Sequence, residues 1–141
     1  MQDKGKIEVT FLGTGTSVGV PVIACDCKVC TSQDPRDKRF RSSILINVDG
    51  KNIVIDCGPD FRFQMLKQKV TDIDAILFTH QHRDHIAGLD DVRAFNYILN
   101  KNVSIFGSKE VIEAIKTEFP YIFDSKGYFG APRLIVNVIN S

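Results

Sequence analysis

The sequence predicts an α/β fold built on mixed sheets, and three observations predict it. Short apolar runs rich in β-branched residues recur along the chain, the composition of strands. Two of these runs, Ile44–Val48 and Asn52–Ile55, are separated by a segment holding Asp49-Gly50, a strong hairpin signal that makes the pair antiparallel. Between the later runs lie segments of helical periodicity, so helices alternate with strands there.

The 141 residues fit one domain, and a hydrophobic fraction of 43% suffices for a core. With 18 basic and 17 acidic residues the net charge is +1 and no basic stripe stands out, so nucleic acid is not an expected partner. No apolar stretch approaches the roughly 20 residues that span a bilayer, and Met1–Lys6 is polar rather than a secretory leader. The expectation is a protein of the cytoplasm without a membrane partner. Three of the four cysteines crowd into Cys25-Asp26-Cys27-Lys28-Val29-Cys30, which in a chain lacking a leader suggests reduced thiols or a metal site.

Lys6–Leu12 is a first strand, and Gly13-Thr14-Gly15-Thr16-Ser17-Val18-Gly19-Val20-Pro21 follows as a glycine-rich loop. It has no P-loop lysine, and a dinucleotide fingerprint needs Gly where Val18 stands, so its glycines serve tight turns near a site. Asp34–Ser43 is densely charged. It reads as solvated surface or, alternatively, offers Arg39 or Arg41 to a substrate phosphate, which guanidinium forks match. After the hairpin, Asp56-Cys57-Gly58-Pro59-Asp60 leads into a helix at Phe61–Lys69 with Phe61, Met65 and Leu66 on its inner side, and Asp60 is a candidate cap. Ala75–Thr79 is a buried strand. Leu89–Leu99 is a helix facing inward through Leu89, Val92, Phe95 or Asn96, and Leu99. Val103–Phe106 is a strand, Ser108 an N-cap, and Lys109–Phe119 a helix ended by Pro120. Tyr121–Phe129 is an aromatic loop, hydrophobic cover or a substrate lid, and Leu134–Ile139 is a further strand.

All three histidines fall within six residues at the end of the Ala75–Thr79 strand, together with Asp84. On extended backbone His80 and His82 share a face and can bind one cation. Asp84 and His85 lie where the chain turns and face a second position. Imidazole with carboxylate suits zinc, manganese or iron, and two cations about 3.5–4 Å apart form the clamp used on phosphoesters.

His80-Gln81-His82-Arg83-Asp84-His85 resembles the His-x-His-x-Asp-His signature of the metallo-β-lactamase-fold hydrolases, which likewise follows an apolar strand. The resemblance implies His80 and His82 on one cation, Asp84 and His85 on the other, and Asp84 orienting the attacking water. It also implies that Asp56, in an Asp-x-Gly at a strand end, orients the histidines from behind. The Gly13-Thr14-Gly15 loop agrees with it. Cys25, Cys27 and Cys30 are similar to a cysteine triplet in the branch that includes phosphoribosyl 1,2-cyclic phosphate phosphodiesterase, where the triplet holds a structural zinc with a late histidine. Here no late histidine exists, so a structural zinc and free thiols both stay open.

The implied architecture is the first half of an αββα sandwich, two mixed sheets face to face with helices outside. The family's second half supplies a further histidine to each metal and a bridging aspartate. The expectation is therefore an incomplete N-terminal portion, inactive by itself and able to form a homodimer through an exposed sheet edge. The implied reaction is hydrolysis of a small phosphodiester with two divalent metals, zinc or manganese. Thioester, lactone or lactam hydrolysis and a non-catalytic metal-binding or assembly module are the alternatives.

Overall fold

A computed structural model describes residues 5–124 and 126–140. The chain-end readings on Met1–Lys4 and Ser141 lie outside the described residues, as does Ser125 of the aromatic loop.

The described strands form one six-stranded sheet in sequence order, β1 (Ile7–Gly13), β2 (Ser43–Val48), β3 (Lys51–Ile55), β4 (Ala75–Leu77), β5 (Val103–Gly107) and β6 (Leu134–Val138). The first two pairings are antiparallel and the last three parallel, so the sheet is mixed. The β2–β3 connection is the expected tight turn: Asp49 and Gly50 both take positive φ, +49° and +76°, as a type I′ hairpin requires. Among the described residues there is this one mixed sheet, as the first half of a two-sheet sandwich provides.

Cross-strand register decides what each face does. Leu45, Val54, Ile76, Ile105 and Val136 form one continuous row across β2 to β6. Helices cover that row. Phe61 and Met65 of α1 (Phe61–Lys67), Phe95 of α3 (Arg93–Leu99), and Val111, Ile112 and Ile115 of α4 (Lys109–Glu118) join it in one core cluster. The flanking rows, Val9-Ile46-Ile53-Ala75-Ser104-Ile135 and Phe11-Ile44-Ile55-Leu77-Phe106-Asn137, lie on the opposite face, and none of their residues belongs to the core cluster. Phe11 is 69% exposed at the β1 edge. An apolar sheet face thus stands open among the described residues. No helix of the described residues is long and apolar enough to cross a membrane.

Three helical expectations need correction. In α1 the inward stripe is Phe61, Gln64 and Met65, while Leu66 is 59% exposed. The helix starts at Phe61, so positions three and four residues on share its face, and Gln64 there donates its amide to the Arg41 carbonyl at 3.0 Å while its Oε1 is buried without a partner. The predicted Leu89–Leu99 helix divides into a 3-10 turn, Leu89–Val92, and α3. Leu99 lies at its frayed end and stays partly exposed. Asn96 is fully buried instead, its side chain bonded to the Lys101 carbonyl and to both backbone groups of Arg133, which ties α3 to the start of β5 and β6. Pro120 does end α4, yet it also opens a short helix, α5 (Pro120–Phe123), so the predicted loop begins with a helical turn. Ile122 and Phe123 of that turn pack on the core, the role of cover rather than lid. Ser108 caps α4 as expected, accepting from the Val111 amide.

Two glycines bring the histidine-bearing loop against the end of β3. A Cβ on Gly58 would lie 2.1 Å from the Asp84 carbonyl oxygen, and one on Gly88 would lie 2.0 Å from the Gly58 carbonyl oxygen. Backbone touches backbone there, and no rotamer change relieves such a clash. Gly88→Ala is therefore expected to destabilise the fold by about 3 kcal/mol or more, against about 1–2 kcal/mol for Gly50→Ala, whose added methyl meets open space and carries only the positive-φ strain. Urea unfolding of the two variants checks this, and equal losses would contradict the close approach.

Candidate metal centre

Asp56 follows the last residue of β3 and adopts φ +63°, a left-handed turn that swings its carboxylate toward the end of the neighbouring parallel strand, β4. The residue is 5% exposed. Its Oδ1 accepts the Thr79 amide at 2.8 Å, and its Oδ2 accepts the Thr79 hydroxyl at 2.7 Å and faces His85 Nδ1 at 2.7 Å. Backbone bonds brace the same corner, from the Asp56 amide to the Leu77 carbonyl and from the Cys57 amide to the His85 carbonyl. The Ser43 hydroxyl donates to the Asp56 carbonyl, so β2 also supports this strand end. β4 stops at Leu77 rather than Thr79 because these side-chain and loop bonds replace the ladder there.

The next residues bring the predicted ligands together. His80 has its ring centroid 4.6 Å from that of His82 and 4.0 Å from that of His85. His82 stands at the N-cap position of α2 (Arg83–Ile86), which carries Asp84 and His85 in its first turn. The Asp84 Oδ2 lies 3.0 Å from His85 Nε2. Ring distance alone does not separate the two expected pairs, since His80 is nearer His85 than His82.

The donor set fits divalent cations. Nδ1 of His85 faces the Asp56 carboxylate, and its Nε2 lies beside Asp84 Oδ2, so an imidazole nitrogen and a carboxylate oxygen stand together on the ligand side. The neighbouring cation, Arg83, pairs with Glu118 at the end of α4 on the surface.

Cys25, Cys27 and Cys30 form a second cluster. Among the described residues they are the one set of three or more His, Cys, Asp or Glu side chains whose ligand atoms all lie within 4.8 Å of one another, a spacing that no three of His80, His82, Asp84 and His85 reach. The Cys30 backbone amide and the thiols of Cys25 and Cys30 hold the Cys27 thiol down to about 7. The Val22 amide donates to Cys30 Sγ at 3.4 Å, as amides around metal-binding thiolates do. Cys57, the sole other cysteine, is fully buried in the core, where burial and the nearby Asp91 and Asp56 charges push its thiol well above the ordinary value. It is a residue of the core and not of the thiol cluster.

The charged loop divides. Arg41 Nε donates to the Ser17 carbonyl and its Nη1 to the Asp60 carboxylate, a half-buried pair at 3.0 Å. Asp60 consequently makes no side-chain cap on α1, which corrects that expectation. Arg39 bonds Thr14 Oγ1 at 3.1 Å, and Thr14 lines a cavity of about 320 Å³ that also includes Asp56, Ser42 and Phe11. Thr79 was absent from the sequence-derived site. Its signal is positional, a hydroxyl directly before the first histidine at a strand end.

The octanoyltransferase of Porphyromonas gingivalis (strain ATCC BAA-308 / W83) is 44% identical over 125 residues, covering 88% of this chain and 25% of that protein. The ribonuclease Z of Clostridioides difficile (strain 630) is 39% identical over 85 residues, 59% of this chain and 23% of the enzyme. The crystal structure of a diphosphatase from the PhnP family superposes with a TM-score of 0.84 at 40% identity, over 96% of this chain and 51% of that one. The chain thus spans about a quarter of the length of these curated relatives and half of the diphosphatase chain. Residues 51–139 match the family model described as the beta-lactamase superfamily domain. With the six-residue ligand motif at the end of β4 and well over half its length within that model, the chain belongs to the beta-lactamase superfamily and has the metallo-β-lactamase fold.

Proposed function

We propose that the protein is a phosphodiesterase of this hydrolase family, acting on a small phosphodiester with two divalent cations, zinc or manganese. The carrying observation is the convergence of three imidazoles and Asp84 on one strand end, with Asp56 behind them. The 40% identity to a diphosphatase supports a phosphoryl substrate. Two such cations would generate the nucleophile from water at neutral pH and neutralise charge on the phosphoryl oxygens. In this reading His80 and His82 hold one cation and Asp84 and His85 the other. Asp84 also accepts a hydrogen bond from the attacking water and orients it. Arg39, whose Nη1 bonds Thr14 of the cavity beside Asp56, offers its remaining guanidinium nitrogen to a substrate phosphate, whereas Arg41 is committed to Asp60. The ribonuclease Z relatives favour one further reading, a phosphodiester within RNA.

In a protein extended to the length of its relatives, His82→Ala is expected to lower bound metal and to reduce hydrolysis of bis(p-nitrophenyl) phosphate at least a hundredfold, as loss of a direct ligand exceeds the 10–100-fold typical of outer partners. Elemental analysis and turnover with added zinc or manganese check it. Unchanged metal content and rate would reject the ligand assignment, and cleavage confined to RNA would favour the second reading.

The cysteine cluster is proposed as a structural zinc site, with reduced thiols in keeping with the cytoplasm. Thiol titration of native protein should find Cys25, Cys27 and Cys30 protected until a chelator is added. Three thiols reacting freely in metal-replete protein would count against the site.

Association of two copies is proposed through β1, an edge strand, and the open apolar face beside it. Six strands of about five residues present on the order of 500 Å² in projection, and accessible area exceeds projection, toward the roughly 800 Å² per partner of a standard interface. Phe11→Asp should convert a dimer to a monomer in light scattering. A monomeric parent protein would remove the proposal.

A further inference from the structure

We infer that Thr79 is a positioning residue that sets the tautomer of His80, passing on the constraint imposed by Asp56. The inference rests on the metal reading above for its purpose and on hydrogen-bond accounting for its substance. The Asp56 carboxylate, as an ion, only accepts, and it lies 2.7 Å from the Thr79 hydroxyl. A hydroxyl has a single proton, so that proton is committed to Asp56. The same oxygen lies 2.9 Å from His80 Nδ1 and has only lone pairs left to offer it. The proton between them must therefore come from the ring, which makes His80 an Nδ1–H donor and leaves the Nε2 lone pair free.

Asp56 meets His85 directly and does the same there, since Oδ2 at 2.7 Å from Nδ1 demands the ring's proton. One carboxylate thereby turns Nε2 of two histidines toward the ligand side, His85 by contact and His80 through a hydroxyl. The position requires a hydroxyl rather than a β-branched shape. The Thr79 amide bond to Oδ1 at 2.8 Å is made by the backbone and survives any substitution that keeps the strand end, so it does not explain the side chain. Nor does burial, because Thr79 is exposed.

The test compares Thr79→Val, which keeps the shape and loses the hydroxyl, with Thr79→Ser, which keeps the hydroxyl. Ring 15N shifts of His80 are read in the metal-free protein at about pH 8.5, roughly two units above an ordinary imidazole pKa, with His80→Gln identifying the signal. The expected result is an Nδ1-protonated ring in the parent protein and in Thr79→Ser, and loss of that preference in Thr79→Val. Zinc affinity, measured by competition with a chelator, should fall about tenfold in Thr79→Val and recover in Thr79→Ser, the scale of an outer-partner loss. A His80 ring protonated at Nε2 in the parent protein, or one unchanged by Thr79→Val, overturns the inference. If the parent protein binds no zinc, the metal reading fails, and the 15N shifts still decide the role of Thr79.

Discussion

The Asp56 carboxylate is the constraint on which the rest of the site depends. It is a nearly buried charge at the meeting point of two parallel strands, and an isolated charge so placed costs several kcal/mol unless it is paired and hydrogen-bonded. Its partners are therefore dictated by need as much as by function. The Thr79 amide, the Thr79 hydroxyl and His85 satisfy it, and all three belong to β4's end or the loop beyond. Satisfying this one group obliges the loop to run where the histidines converge.

Getting the carboxylate there requires a local departure from strand geometry. Asp56 takes a positive φ that few residues besides Gly, Asn and Asp tolerate, and Gly58 two residues later lets the following loop press its backbone onto Asp84. The helices make the same corner firm from below, since Phe61, Leu89 and Val92 are buried directly behind it. Precision at the site comes from strands, close backbone contacts and a short helix rather than from a free loop. Arg83, set among the ligand residues, pairs with Glu118.

The cysteine cluster follows a different logic. It lies in the long connection between β1 and β2, where little regular structure is available to hold the chain. Isolated bridges from Gly15 to Arg41 and from Val20 to Arg39, the Arg41–Asp60 pair and the thiol cluster itself supply the order. A loop fixed at several points can carry Thr14 and Arg39 to the cavity beside Asp56.

By itself, the sequence determined the elements that depend on short-range chemistry. Asp49-Gly50 specified the hairpin, Ser108 the cap of α4, and the clustering of His80, His82, Asp84 and His85 announced the site and its family. Short apolar and β-branched runs placed six strands within a residue or two of their bounds. Tertiary structure alone decided what depends on distant neighbours. Gln64 and Asn96 are buried because carbonyls and amides far along the chain, at Arg41 and Arg133, need partners, and no local pattern contains that information. Asp60 pairs with Arg41 instead of capping its helix, and Cys57 is core rather than ligand, for the same reason. Thr79 could not be read as part of the site until Asp56, 23 positions earlier, was seen to claim its only proton. The single sheet with one face covered and the other open also emerged only from register, since alternation shows that a strand has two faces but not what lies against either.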